Sequence, residues 1–281
     1  MAAESGTLDA AVQGAMQRLP PGPLTSLTRG VLSVDLSPQA GGRIAQIRHR
    51  GIEQLFGPDD GDHAAIAWGC FPMVPWAGRI RHGRFAFDGR GHALPVNFGA
   101  HAIHGTGFTQ PWTLERPGDA TAMLTLELPT DMRWPFGGRA THCITLQDED
   151  TLHLVLEVTA GDRPMPASLG WHPWFRKPDR IDFQPDAIFP RDAEGIATLP
   201  PAAPPPGPWD DCFVNRRPVR VHRGDTTLTM TSDCICWVVY DQAAHATCVE
   251  PQTAMPDAFN ADPVVLPPGQ SLRAWTTWRW T

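Results

Sequence analysis

The chain is nearly devoid of lysine and tyrosine: Lys177 is the one lysine among 23 basic residues, and Tyr240 is the one tyrosine in 281 residues. The lysine shortage reads as coding bias before chemistry. The tyrosine shortage weighs against lyases that work through a phenol. No run approaches the ~18 consecutive apolar residues of a membrane-spanning helix. Residues 1–19 carry Glu4 and Asp9 and lack a basic segment ahead of an apolar block, so they do not read as a secretory signal. Cys70, Cys143, Cys212, Cys234, Cys236 and Cys248 form no CxxC pair, which excludes the usual zinc and disulfide frameworks and points to a reduced, cytoplasmic protein. With 30 acidic residues and a net charge of −7, the chain lacks the basic stripe that nucleic acid requires, and it suits an anionic membrane no better. A fixed repeat is absent, which argues against a propeller.

What is present is strands and turns. The segments 31–36, 43–48, 84–88, 122–128, 142–146, 152–158, 219–222, 227–230, 235–240 and 271–280 alternate or run apolar between turn residues. Thirty prolines and 26 glycines punctuate them. In Cys234-Ile235-Cys236, alternation predicts both thiols on one strand face. The Pro-rich stretch 199–208 reads as a surface loop. Helical spacing occurs only near the start, where Leu8, Ala11, Val12, Ala15, Met16 and Leu19 predict a short amphipathic helix ended by Pro20-Pro21. The expectation is an all-β antiparallel sandwich: an N-terminal extension over 1–30, helical in part, then one domain over 31–281.

Several polar groups sit inside aromatic or glycine-rich surroundings. In Ser168-Leu-Gly-Trp-His172-Pro-Trp174-Phe175, proline pushes His172 towards extended backbone and the aromatics supply an apolar wall. Glu250, in Val249-Glu-Pro-Gln-Thr253, reads as a carboxylate at a strand end. A carboxylate and an imidazole flanking one small molecule can move a proton between two of its oxygens. His101 and His104 lie in a glycine-rich loop that lets backbone approach a ligand; no third ligand falls at a familiar metal spacing, and no metal is expected. Arg79 and Arg81 flank Ile80, so a strand there would put both on one face, ready for hydroxyls or an anion. Trp209-Asp210-Asp211 pairs an indole with carboxylates, a combination that binds sugars.

In order, Pro75-Trp-Ala-Gly-Arg79-Ile80, His104-Gly105, Gly170-Trp-His172-Pro-Trp-Phe175, Asp210-Asp-Cys-Phe213 and Glu250-Pro-Gln-Thr followed by Pro256-Asp-Ala-Phe-Asn260 resemble the aldose 1-epimerase (galactose mutarotase) family. The resemblance covers nearly all of residues 30–280. It implies a galactose-mutarotase-like β-supersandwich with a sugar in an open cleft and no metal or organic cofactor. It implies Glu250 as general base at the anomeric hydroxyl, His172 as general acid at the ring oxygen, and His104 as a second histidine near that oxygen. Arg79 and Asp210 take hydroxyls, with Asp211 the fallback for Asp210, and Trp174 joins them as a substrate-binding residue.

The function expected is therefore interconversion of α and β anomers of a free aldohexose. The alternatives are a mutarotase of a phosphorylated or sulfonated hexose, with Arg79, Arg81 and Arg84 taking the anion, and a non-catalytic carbohydrate-binding protein. The expected partner is a small-molecule sugar, without nucleic acid or membrane, for a monomer or weak homodimer.

Overall fold

Frequent turns leave the chain only short extended segments, and these assemble into two antiparallel sheets. The computed structural model describes residues 14–61 and 64–281. A ten-stranded sheet runs in spatial order Thr25–Arg29, Leu32–Ser37, Arg43–His49, Cys70–Met73, Gly170–Arg176, Ala246–Gln252, Cys236–Tyr240, Asp210–Val214 and Ala187–Phe189, with Ile52–Glu53 paired to Arg43–His49. An eight-stranded sheet runs Thr113–Gly118, Thr121–Glu127, Arg139–Leu146, Thr151–Thr159, Ser271–Trp280, Thr226–Ser232, Val219–Arg223 and Arg180–Asp182.

Alternation decides what fills the space between the sheets. On Thr151–Thr159, Leu152, Leu154, Leu156 and Val158 are wholly buried. Their neighbours on Ser271–Trp280, Ala274 and Trp278, enter the same core, in the register Leu156–Ala274 and Leu152–Trp278. The ten-stranded sheet contributes Val34, Ile44, Trp171, Phe213, Trp237 and Val249. Each such aliphatic side chain contributes about 1.5–3 kcal/mol on burial. The opposite face of the ten-stranded sheet carries a second apolar cluster, including Phe71, Met73, Trp174 and Cys248. Loops roof that face, and the candidate site lies under them.

Three expectations change. The sheet begins at Thr25 rather than residue 31, because Thr25-Ser-Leu-Thr-Arg29 buries Leu27 while pairing with Leu32–Ser37. Of the expected N-terminal helix, residues 1–13 lie outside the described residues, 14–17 turn and bend, and Arg18 forms an isolated bridge to Ala64. There the backbone bonds outward, Ala15 N–H to the Asn97 carbonyl at 3.2 Å and Ala65 N–H to the Gln17 carbonyl at 2.8 Å, instead of closing helical turns. Cys234 and Cys236 do not share a face: the strand starts only at Cys236, so Cys234 enters the main core and Cys236 packs with Phe189 and Met255. The single α-helix among the described residues, Ala258–Ala261, is one turn long. No helix among the described residues is long and apolar enough to cross a membrane.

Candidate active site

Three adjacent strands, Cys70–Met73, Gly170–Arg176 and Ala246–Gln252, make the floor of the site. Each carries a proline: Pro72, Pro173 and Pro251. Proline inside a sheet removes a ladder hydrogen bond and is normally an edge residue, so three together mark a place where the regular pattern yields to something else. Period-two alternation sends Trp171 and Phe175 into the core, and His172 and Trp174 to the opposite face. The pairings Gly170–Gln252 and Trp174–Cys248 bracket His172 opposite Glu250.

The two groups meet. His172 Nε2 lies 3.3 Å from Glu250 Oε1, with the side chains 8% and 3% exposed. Gln252, two residues along the same strand face, donates from Nε2 to Glu250 Oε2 at 3.1 Å. The two side chains thus lie side by side on the same face of the sheet.

Aromatic rings fix the imidazole. Phe71 stacks on His172 at 4.7 Å between centroids and 27°, and Trp174 stacks at 5.5 Å and 16°. His104 stands edge-on to His172 at 5.0 Å and 86°. His104 has a φ of +60°, and Gly105 follows at +76°. A Cβ on Gly105 would lie 2.0 Å from the Val74 carbonyl oxygen, so only glycine lets this loop close against the sheet.

Behind Phe71 lies Arg43, wholly buried. Its guanidinium donates to the carbonyls of Ala40, Ala65, Trp68 and Phe108 at 2.6–2.9 Å. It also sits over the Trp68 ring at 4.2 Å and the Phe71 ring at 5.1 Å. Burial pulls its pKa down to about 9.

A cavity of about 370 Å³ opens above the floor, lined by His104, His172, Glu250, Gln252, Arg79, Asp210 and Trp174, with apolar walls from Met16, Ile66, Phe98, Ile103, Val238 and Tyr240. Its size and mixed lining suit one small polar molecule with apolar faces. Arg79, on the two-residue strand Arg79–Ile80, donates to the Gly195 carbonyl at 2.8 Å and lies 5.9 Å from the Phe98 ring centre. Asp210 reaches the cavity while bonding Arg191 at 2.6 Å.

Burial governs protonation here. It pushes the Glu250 carboxyl well above its ordinary value, with Asp210 adding repulsion and with Gln252 and Arg79 opposing. It pulls His172 down to about 3, and the Arg43 cation adds to the fall. Burial likewise lowers His104, helped by His172 and Arg79. Within the pair, both shifts favour the proton on Glu250 over His172.

Of the residues singled out from the sequence, Glu250, His172, His104, Arg79, Asp210 and Trp174 converge on this cavity. Asp211 does not line it; it bonds Nε of the Arg191 guanidinium at 2.9 Å, beside Asp210. Arg81 leaves the expected shared face because a 3-10 turn begins at that residue, and Asp192 and Glu194 hold its guanidinium. Arg84 is exposed, so the three-arginine anion site does not form. Trp209 packs on Phe183 and Phe213 rather than facing the cavity. His101 meets the Glu194 carbonyl at 3.3 Å. Sequence reasoning missed Gln252, although strand alternation from Glu250 pointed to it, and missed Arg43 and Met16, for which no local signal existed. The residues that could hold a metal ion are His172, Cys248 and Glu250, whose ligand atoms lie within 4.8 Å of one another.

The profile of the family Aldose 1-epimerase matches residues 23–279. The chain belongs to that family. It is 31% identical over 153 residues to YphB of Escherichia coli (strain K12), covering 53% of this chain. That match spans about half, 51%, of the relative's length. Among solved structures it resembles a galactose mutarotase-like protein from Clostridium acetobutylicum, with a TM-score of 0.82 and 16% identity over 91% of this chain and 94% of the other. It also resembles the GalM/aldose epimerase homologue from C. elegans, with a TM-score of 0.79 and 17% identity over 92% and 98% of the two chains. These likenesses give the galactose-mutarotase-like fold.

Proposed function

We propose that the protein interconverts the α and β anomers of a free aldohexose, with Glu250 as base and His172 as acid. The observation that carries this reading is the 3.3 Å contact between His172 Nε2 and Glu250 Oε1 on the cavity floor. In a pyranose, O1 and O5 are bonded to the same carbon. An acid and a base that serve both oxygens must therefore lie beside each other, as these do, with the sugar resting above them.

The chemistry balances with one shared proton. A proton passes from Glu250 to His172 when the sugar's O1–H donates to the carboxylate, because hydrogen bonding favours the charged carboxyl form. Glu250 then takes the proton from O1, the C1–O5 bond breaks, and His172 gives its proton to O5. Rotation about C1–C2 turns the aldehyde, and closure on its other face runs the transfers backwards. Nothing is oxidised or reduced, so the reaction calls for no cofactor. Trp174 offers an apolar face to the sugar's C–H groups. His104, Arg79, Asp210 and Gln252 supply hydrogen-bonding partners around the ring.

One observation favours a second substrate class. Arg79 donates to a carbonyl rather than a carboxylate, which leaves a cation without an ion-pair partner among the described residues at the cavity wall. A sugar bearing a phosphate, sulfonate or carboxylate would complement it. Exchange NMR on free glucose and galactose, glucose 6-phosphate and glucuronate separates the readings. Faster anomer exchange of the neutral hexoses supports the first; exchange confined to the anionic sugars supports the second. Binding without faster exchange identifies a carbohydrate-binding protein and ends both.

A further inference from the structure

The segment 14–19 lies outside the residues matched by the family profile, yet it reaches the site. Two loops hold it. Ala15 N–H donates to the Asn97 carbonyl at 3.2 Å, and its own carbonyl accepts from Ile66 N–H at 3.0 Å. Ala65 N–H donates to the Gln17 carbonyl at 2.8 Å, and Arg18 bridges to Ala64. Ala15 is wholly buried in the cluster that contains Phe71, Ile103 and Trp174. The segment therefore joins the loop around residues 64–67 to the loop around residue 97 and crosses between them.

Met16 is the residue this crossing presents to the cavity. Its side chain lines the cavity beside Ile66 and Phe98 and is also 58% exposed to solvent. A side chain that meets both the cavity and bulk water stands at the mouth. Any substituent that leaves a bound sugar on this side must pass a thioether in a wall that also carries Ile66 and Phe98. Methionine fills such gaps flexibly but offers no hydrogen bond to hydroxyls beyond the ring.

We propose that Met16 is a specificity-determining residue that restricts the site to monosaccharides by closing the side through which a second sugar unit would extend. The inference rests on the mutarotase reading given above. It assigns the N-terminal segment a substrate-selecting role that the sheet and its two catalytic side chains do not supply.

The test compares the full-length protein with Met16→Gly and Met16→Trp. Anomer exchange is followed by NMR on glucose and galactose, and on lactose and maltose, which carry a second sugar and a free reducing end. The readout is the ratio of kcat/KM for disaccharide to that for monosaccharide, with the ratio of dissociation constants measured alongside. Removing the side chain is expected to raise the ratio roughly tenfold, the scale on which an apolar contact discriminates, and Met16→Trp is expected to lower it. A ratio unchanged in both variants while glucose or galactose still exchanges overturns the role of Met16 and leaves the mutarotase reading intact. Failure of the wild-type protein to exchange any aldose overturns that reading and this inference with it.

Discussion

His172 and Glu250 lie on neighbouring strands with Nε2 and Oε1 3.3 Å apart, and both are almost fully buried. Burial works on them in opposite senses. It raises the carboxyl and lowers the imidazole, so within the pair the proton favours Glu250 over His172.

Replacing either member removes proton transfer while keeping the shape of the floor. Glu250→Gln and His172→Asn are each expected to lower kcat/KM by at least ~10²–10⁴-fold, the usual scale of acid–base assistance. Exchange NMR gives the rate, and circular dichroism checks that the sheets persist. Near wild-type exchange in either variant contradicts the assigned roles.

Glu250→Gln should also stabilise the fold at neutral pH. A carboxyl whose folded pKa is raised contributes stability below its unfolded value, and that contribution is lost as pH rises through the folded value. Above the ordinary glutamate range the unfolded chain gives up this proton more readily than the native chain does. The amide carries no such cost. Thermal melts at pH 7 are expected to show a higher Tm for the inactive variant, and a lower one contradicts the account.

Acid should unfold the protein through histidines. His172 falls to about 3 and His142 to about 4, and His104 falls well below its ordinary value, all chiefly by burial. The unfolded chain takes up these protons near pH ~6.5, and the native chain does not. Stability therefore declines as pH falls from ~6.5 towards 4, by up to ~1.4 kcal/mol per pH unit for each group. Denaturant titrations at several pH values measure the slope. His142 accepts from Trp171 Nε1 at 3.1 Å, and neither residue lines the cavity. His142→Gln keeps an acceptor there and should make the slope shallower by one proton.

Gly105 separates backbone geometry from side-chain chemistry. Gly105→Ala places a Cβ 2.0 Å from the Val74 carbonyl oxygen at a φ of +76°. We expect it to cost at least ~1–3 kcal/mol and to lower kcat by displacing His104. Gly99, at +56° with open space around it, is the control. Equal losses for Gly99→Ala and Gly105→Ala contradict the close-approach argument.

Much of this was legible before the fold was known, because local pattern and packing agree along most strands. The alternation over 152–158 and 271–280 gives both the strands and their buried faces. Among the site residues, Glu250 and His172 stand out because each polar group interrupts an apolar context and is followed by a proline. What stayed hidden depends on contacts distant in sequence. Arg43 reads as an ordinary strand arginine, and only the folded chain shows four carbonyls from Ala40, Ala65, Trp68 and Phe108 around it. Arg81 leaves its expected face for a related reason: a 3-10 turn begins at that residue and sends it to Asp192 instead of the cavity. The start of the sheet at Thr25 was missed because a strand that buries only Leu27 has almost no apolar signature.

The most direct test is anomer exchange of free glucose and galactose, measured by NMR at neutral pH with the wild-type protein and with Glu250→Gln at equal concentration. The wild-type protein should speed exchange well above the buffer rate, and the variant should return it close to that rate while its melting curve stays cooperative. Equal acceleration by both proteins, or none by the wild type on neutral or anionic aldoses, would contradict the claim that a touching acid and base open the sugar ring.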